Sequence, residues 1–239
     1  MGTVSDSKAL DIRSADYVAT ALRAVTSSVP VVGPLLSELV GVVVPNQRLE
    51  RIAKFAEELD GRLRALEATD GITDRLGNEH FADLLEEGVR QAARSLSNDR
   101  RQYLAALIVN GLSAQGIEYS ESRHLLRMLD ELSDVEIIWL RSYWDGTWEF
   151  SEQHQNVLAR PEASMASPRN EQDQAARKTA LQDSYKEHLC RLGLLERRYR
   201  VDIRTRQPKF DQDGVQEVDG YSITLLGHLL LRQIGLGEQ

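Results

Sequence analysis

Glu121-Ser122-Arg123-His124 sets a carboxylate and an imidazole three residues apart on a predicted helix, the spacing with which helical bundles hold di-iron centres. Such a centre needs two copies of that motif and two further carboxylates. The motif occurs once, so a solvated helix face is the expectation. His188 and Cys190 stand two apart near a helix end without a matching pair, which does not suit zinc. Asp211, Asp213, Gly214 and Asp219 resemble a calcium loop in composition, but the ligand spacing and the closing glutamate are wrong. They suit a polar turn better. No glycine-rich phosphate loop and no Gly-x-Ser-x-Gly elbow occurs. The reading is non-enzymatic, with no cofactor and no metal.

The residues that carry more information are basic and lie toward the end of the chain. Between Asp183 and Lys209 eight basic residues face four acidic ones. Lys186, Arg197, Arg198, Arg200, Arg204 and Arg206 are therefore the candidate nucleic-acid contacts, through phosphates. The helix that would read bases offers only Gln182, Ser184 and Lys186. A net charge of −8 over 239 residues argues against bulk, sequence-blind binding to nucleic acid.

The pattern around these residues predicts the elements that hold them. Leu181, Tyr185, His188, Leu189 and Leu192 share one face of a helix that stops at Gly193. Tyr199, Val201 and Ile203 then alternate with Arg198, Arg200, Asp202 and Arg204, as in a half-buried strand. An acidic turn at Asp211 to Gly214 leads to a second extended run through Val218, Tyr221 and Ile223. Thr224 can cap a last helix bearing Leu225, Leu226, Leu229, Leu230 and Ile234. Helix, two-stranded ribbon and closing helix over about 177–235 resemble a winged helix, with the Ser133 to Trp144 helix as a possible opening element. Leu192-Gly193-Leu194 and Thr224-Leu225-Leu226-Gly227, with the apolar N-terminal stretch, also resemble the bacterial abortive-infection alpha family. That resemblance implies phage defence. Other bacterial helical proteins share the layout.

Upstream, the periodicity is helical throughout. Leu49, Ile52, Ala56, Leu59, Leu63 and Leu66 step by threes and fours after Asn46. Antiparallel packing inside a bundle and a self-association seam, carried by Leu49, Ile52, Leu59, Leu63 and Leu66, are both open on this pattern. A helix from about Glu79 to Leu96 buries Phe81, Leu84, Leu85, Val89, Ala92 and Leu96. The next, capped by Ser97 or Asn98, has its apolar face at Tyr103, Leu104, Leu107, Ile108 and Leu112, and another from near Ser120 buries Leu125, Leu126, Met128, Leu129 and Leu132. Ser133-Asp134-Val135-Glu136 matches a capping box opening a helix with Ile137, Ile138, Leu140 and Trp144, and Trp139, Trp144 and Trp148 near Tyr143 could form an aromatic patch. Trp144 is expected in the core and Trp148 at a partly exposed interface.

The fold class is thus mostly α: a helical bundle over 1–145, a polar linker over 146–176 and a winged-helix-like α+β module over 177–239. Hydrophobic residues make up 41% and charged residues 28%, the balance of a globular chain. The single cysteine fits a reducing, cytoplasmic setting, and the N-terminus lacks the features of a secretory signal. The apolar run over 31–44 is interrupted by Gly33 and Pro34 and falls short of the about 20 residues a spanning helix needs. It reads as a core helix, with a membrane-active segment or a partner-binding helix as alternatives. Three functions remain open: a protein that self-associates or binds a protein partner, a DNA-binding regulator, and a membrane-active effector through 31–44.

Overall fold

The computed structural model describes residues 46–70, 73–76, 78–113, 117–144, 151–161 and 168–237. The apolar segment 31–44 and Trp148 lie outside them. The chain is mostly helical, with a small two-stranded antiparallel sheet near its C-terminus, and it divides into two units. The first comprises residues 1–131 together with 232–239, the second residues 132–231.

In the first unit, α1 (Asn46–Asp70), α2 (Thr73–Leu76), α3 (Glu79–Arg94), α4 (Asn98–Asn110) and α5 (Tyr119–Glu131) follow one another. Two of them, α3 and α4, begin where a short polar side chain accepts a backbone N–H. Asn78 accepts from His80 N at the start of α3, and Ser97 from Arg100 N at the start of α4. The helix α1 packs on α4 and α3, and α3 packs in turn on α4 and α5. Its buried face holds Ile52, Ala53, Phe55, Ala56, Leu59 and Leu63, whereas Leu49 and Leu66 are only half-buried. That stripe is wider than a two-position coiled-coil seam, as expected of a bundle helix with two neighbours. The inner part of the predicted seam is therefore spent within the chain. Gly88 of α3 marks the tightest approach: a methyl group there would overlap Ile108 Cδ1 and stand 3.3 Å from Phe55 Cζ.

Two arginines finish α3. Arg51 donates to Ala93 O at 3.3 Å and Arg101 to Ser95 O at 3.3 Å, so both cations meet the carbonyls at the negative end of the helix. The helix stops at Arg94, and Leu96, expected on its buried side, is 82% exposed between Ser95 and Ser97. Two capping serines leave that leucine no helical face to occupy.

In the second unit, α6 (Asp134–Ser142), α7 (Glu152–Leu158), α8 (Arg169–Arg191), β1 (Leu195–Tyr199), β2 (Val218–Ile223) and the start of α9 (Leu225–Gln233) are joined in sequence. The capping box is present as the sequence predicts: Ser133 Oγ accepts from Glu136 N, and Glu136 accepts from Ser133 N at 2.7 Å. The short α7 lies within the stretch whose composition reads as a linker. Ser151 accepts from His154 N to start it, and its side chains stay out of the core, so polarity alone did not forbid a helix. Buried Gln182 of α8 holds the end of α7 by donating to Val157 O and Ala159 O, at 3.2 and 3.1 Å.

The burial of Leu59 yields a direct test. Leu59→Asp puts a carboxylate among apolar side chains and should lower the unfolding free energy by more than about 4 kcal/mol. Urea unfolding followed by far-ultraviolet circular dichroism measures it; a folded variant with a wild-type midpoint contradicts the packing described.

Candidate functional site

The candidate site is the β1–β2 hairpin with the helices that carry it. Its base is a junction of two glycines and one threonine. At the end of α8, Leu194 N donates to Leu189 O at 2.9 Å and Gly193 N to Cys190 O at 3.0 Å, with Gly193 at φ +73°. This is a Schellman turn, with Leu189 and Leu194 buried as its apolar pair. Across the sheet, Thr224 Oγ1 donates to Gly193 O at 2.7 Å and accepts from Gly227 N at 3.0 Å, capping α9. A methyl group on Gly227 would stand 2.5 Å from Leu194 O, so only glycine lets α9 come this close. The Leu-Gly-Leu and Thr-x-x-Gly segments thus bind each other.

Beneath the sheet lies a charged and aromatic cluster. Glu187 of α8 takes both ends of the Arg197 guanidinium and accepts from Tyr221 Oη at 3.3 Å. The bond from Arg197 holds the Glu187 carboxyl below the usual carboxylate range, and Glu187 in turn raises Arg197. Burial, with the nearby Glu187 charge, pushes the Tyr221 phenol up to about 12, so it stays a donor. The Lys186 ammonium pairs with Asp183 at 2.7 Å and lies 5.4 Å from the Trp139 ring centre and 5.7 Å from that of Tyr221. On the N-terminal side of α6, His188 Nδ1 meets Glu136 Oε1 at 2.5 Å, while the other carboxylate oxygen serves the capping box. Burial pushes the Cys190 thiol up, away from the thiolate that nucleophilic chemistry needs.

Beyond Tyr199 the strand prediction fails. Val201 and Ile203 do not enter a buried face; Ile203 is 98% exposed. The hairpin instead branches. Arg200 N donates to Glu217 O, Glu217 N to Lys209 O and Lys209 N to Arg200 O, at 2.8–2.9 Å, closing a ring of three backbone bonds. Two lobes leave that ring. In the first, residues 201–208, Asp202 Oδ1 accepts from Arg204 N and Thr205 N, both at 2.9 Å, and Val201 bridges Pro208. In the second, residues 210–216, Asp211 Oδ1 accepts from Asp213 N and Val215 N, both at 2.9 Å, around Gly214 at φ +78°. Each lobe is an aspartate-centred turn, and an aspartate whose carboxylate serves its own backbone cannot continue a strand. Exposed Val201 and Ile203 sit on the first lobe, and exposed Phe210 and Val215 on the second.

The candidate phosphate contacts separate into two groups. Lys186 and Arg197 are engaged by Asp183 and Glu187, and Arg200 by Glu217 at 3.2 Å and Asp219 at 3.5 Å. Arg198, Arg204 and Arg206 have no acidic partner among the described residues, and Arg206 holds φ +56° at the first lobe. Leu181 and Leu225, expected on buried faces, are 54% and 88% exposed. Trp139 is buried, whereas Trp144 is only half-buried, its ring 4.4 Å from that of His228. Glu121 and His124 are exposed, and Glu121 accepts from Glu118 N at 3.0 Å. Among the described residues no group of three or more His, Cys, Asp or Glu side chains is placed to hold a metal ion, and no helix is long and apolar enough to cross a membrane. Compared with known protein families, curated proteins and solved structures, the chain matches none.

Residue patterning did not announce the branch, although its signals can be named afterwards: Asp202 and Asp211 each stand two residues before a backbone N–H they accept.

Two outcomes are expected. Gly227→Ala should destabilise the protein by about 1–3 kcal/mol, because a backbone oxygen cannot step aside; thermal unfolding at neutral pH measures it. The backbone bonds hold the Asp202 carboxyl below its ordinary value. The first lobe should therefore stay ordered above about pH 4, the unperturbed aspartate value, and loosen only as pH falls through the lower folded one. An NMR titration of the Arg204 and Thr205 amides with a midpoint at or above that ordinary value contradicts this.

Proposed function

We propose that the chain is a non-enzymatic protein-interaction protein whose second unit is a winged-helix-like module docking a protein through the branched end of its hairpin. The order α6, α7, α8, β1, hairpin and β2 supports the winged-helix reading, with α8 in the place of the helix that enters a DNA groove in DNA-binding members. The observation that carries the function is Ile203, almost wholly exposed on a turn that Asp202 locks from within. A large apolar side chain held rigidly in water loses little freedom on binding, which favours association. Phe210 and Val215 extend the apolar surface on the second lobe.

The DNA-binding alternative draws on Arg198, Arg204 and Arg206. It is the weaker reading because Lys186, Arg197 and Arg200 already hold carboxylates, which phosphates would have to displace. The resemblance to abortive-infection alpha proteins gives the module a setting in phage defence, and the single cysteine suits the cytoplasm.

The test compares the wild type with the Ile203→Asp, Phe210→Asp double variant. Crosslinking in the host cell should capture a specific protein with the former, and at least tenfold less of it with the latter at unchanged thermal stability. Equal capture by both removes the docking reading. Retardation of DNA by the wild type, lost in an Arg198→Ala, Arg204→Ala, Arg206→Ala variant, would transfer the function to nucleic acid.

A further inference from the structure

The two lobes of the hairpin differ in charge. The first carries Arg204 and Arg206, without acidic partners among the described residues, against one carboxylate, Asp202, which like Asp211 of the second is turned onto its own backbone. The second carries Asp211 and Asp213 and no basic residue. Each also exposes large apolar side chains, Val201 and Ile203 on the first, Phe210 and Val215 on the second. Both are pinned to one ring of backbone bonds through Arg200, Lys209 and Glu217, so basic and acidic lobes stand side by side on a common base.

A surface with a basic half and an acidic half, each with an apolar centre, is complementary to itself under a two-fold rotation. Each lobe of one copy then meets the opposite lobe of the other, as an isologous contact requires. We infer that the partner of the hairpin end is a second copy of this chain, paired first lobe to second lobe about a two-fold axis. The inference rests on the docking reading above and names its occupant. A partner with a uniformly acidic face would suit the first lobe but meet Asp213 on the second. A nucleic acid or an anionic membrane would meet the same repulsion. The apolar side chains offer a few hundred Å² per copy, below the about 800 Å² per partner of a standard interface. The contact is accordingly a weak, concentration-dependent dimer in which the charged pairs set orientation more than affinity.

The test is a charge exchange on the full chain, read by sedimentation velocity over a concentration series at low salt. One variant is Arg204→Glu with Arg206→Glu, giving two acidic lobes; the other is Gln212→Lys with Asp213→Lys, giving two basic lobes. The wild type should dimerise reversibly, each variant should remain monomeric, and an equimolar mixture should recover the dimer, because both lobe pairs are again of opposite sign. All the substituted residues are exposed, and circular dichroism checks the fold. As a second measurement, amide shifts of the wild type should depend on concentration within residues 199–218 alone. A wild type monomeric up to ~1 mM, where affinity falls below about 4 kcal/mol, overturns the inference. So does a variant that still dimerises, or a mixture that does not. A monomeric wild type that still loses a captured protein on Ile203→Asp, Phe210→Asp would leave the docking surface standing with another occupant. Loss of neither dimer nor capture on that substitution would remove both.

Discussion

The second unit depends on three residues that meet at one carbonyl-rich corner. Gly193 turns α8 into β1, Thr224 closes the sheet by bonding back to the carbonyl of Gly193, and Gly227 lets α9 lie against Leu194 O. Each contribution is small alone, of the order of one kcal/mol for a cap or a left-handed glycine. Together they fix the direction in which the hairpin leaves the helices. A side chain on Gly227 would strike a backbone oxygen, and without the Thr224 hydroxyl both α9 and the Schellman turn would lose a partner. The corner decides where the hairpin end points; the end itself is ordered by its own bonds.

Charge in this unit is used mostly at short range. Glu136 serves the start of its own helix with one oxygen and His188 of α8 with the other. Glu187 ties α8 to both strands through Arg197 and Tyr221. Lys186 lies by two aromatic rings with Asp183 as its counter-ion. An exposed pair such as Glu187 with Arg197 contributes little to stability, typically below about 1 kcal/mol, but all of these contacts consume charges that a count along the sequence treats as free. A local surplus of basic residues thus overstated what is available to a phosphate. What remains unspent is concentrated at the hairpin end, where aspartate-centred turns hold the backbone and leave Ile203, Arg204 and Arg206 facing water.

Most of the first unit's helices and the start of α6 were legible in the chain itself, whereas α7 and the start of α8 fell in the stretch read as a linker. Ser97 and the Ser133–Glu136 pair are local signals, complete within four residues, and each caps the helix it was expected to cap, whereas the Asn78 cap went unread. Apolar periodicity likewise found most of the face that α1 buries, because a helix repeats at a fixed interval whatever it packs against. The Gly193 stop and the Thr224 cap belong to the same class. Tertiary packing settled what periodicity cannot carry: that Ile52, Leu59 and Leu63 are covered within the chain, that Trp139 rather than Trp144 is the buried indole, and that Leu181 and Leu225 face outward. Which side of a helix meets a neighbour depends on elements distant in sequence. The hairpin shows the limit most clearly. Alternation from Tyr199 to Ile203 promises a strand, yet Asp202 draws two backbone N–H groups onto its carboxylate, and three residues far apart in sequence close the ring that divides the loop. A pattern of side-chain types records burial only where a second layer exists to bury against, and among the described residues none covers this end of the hairpin.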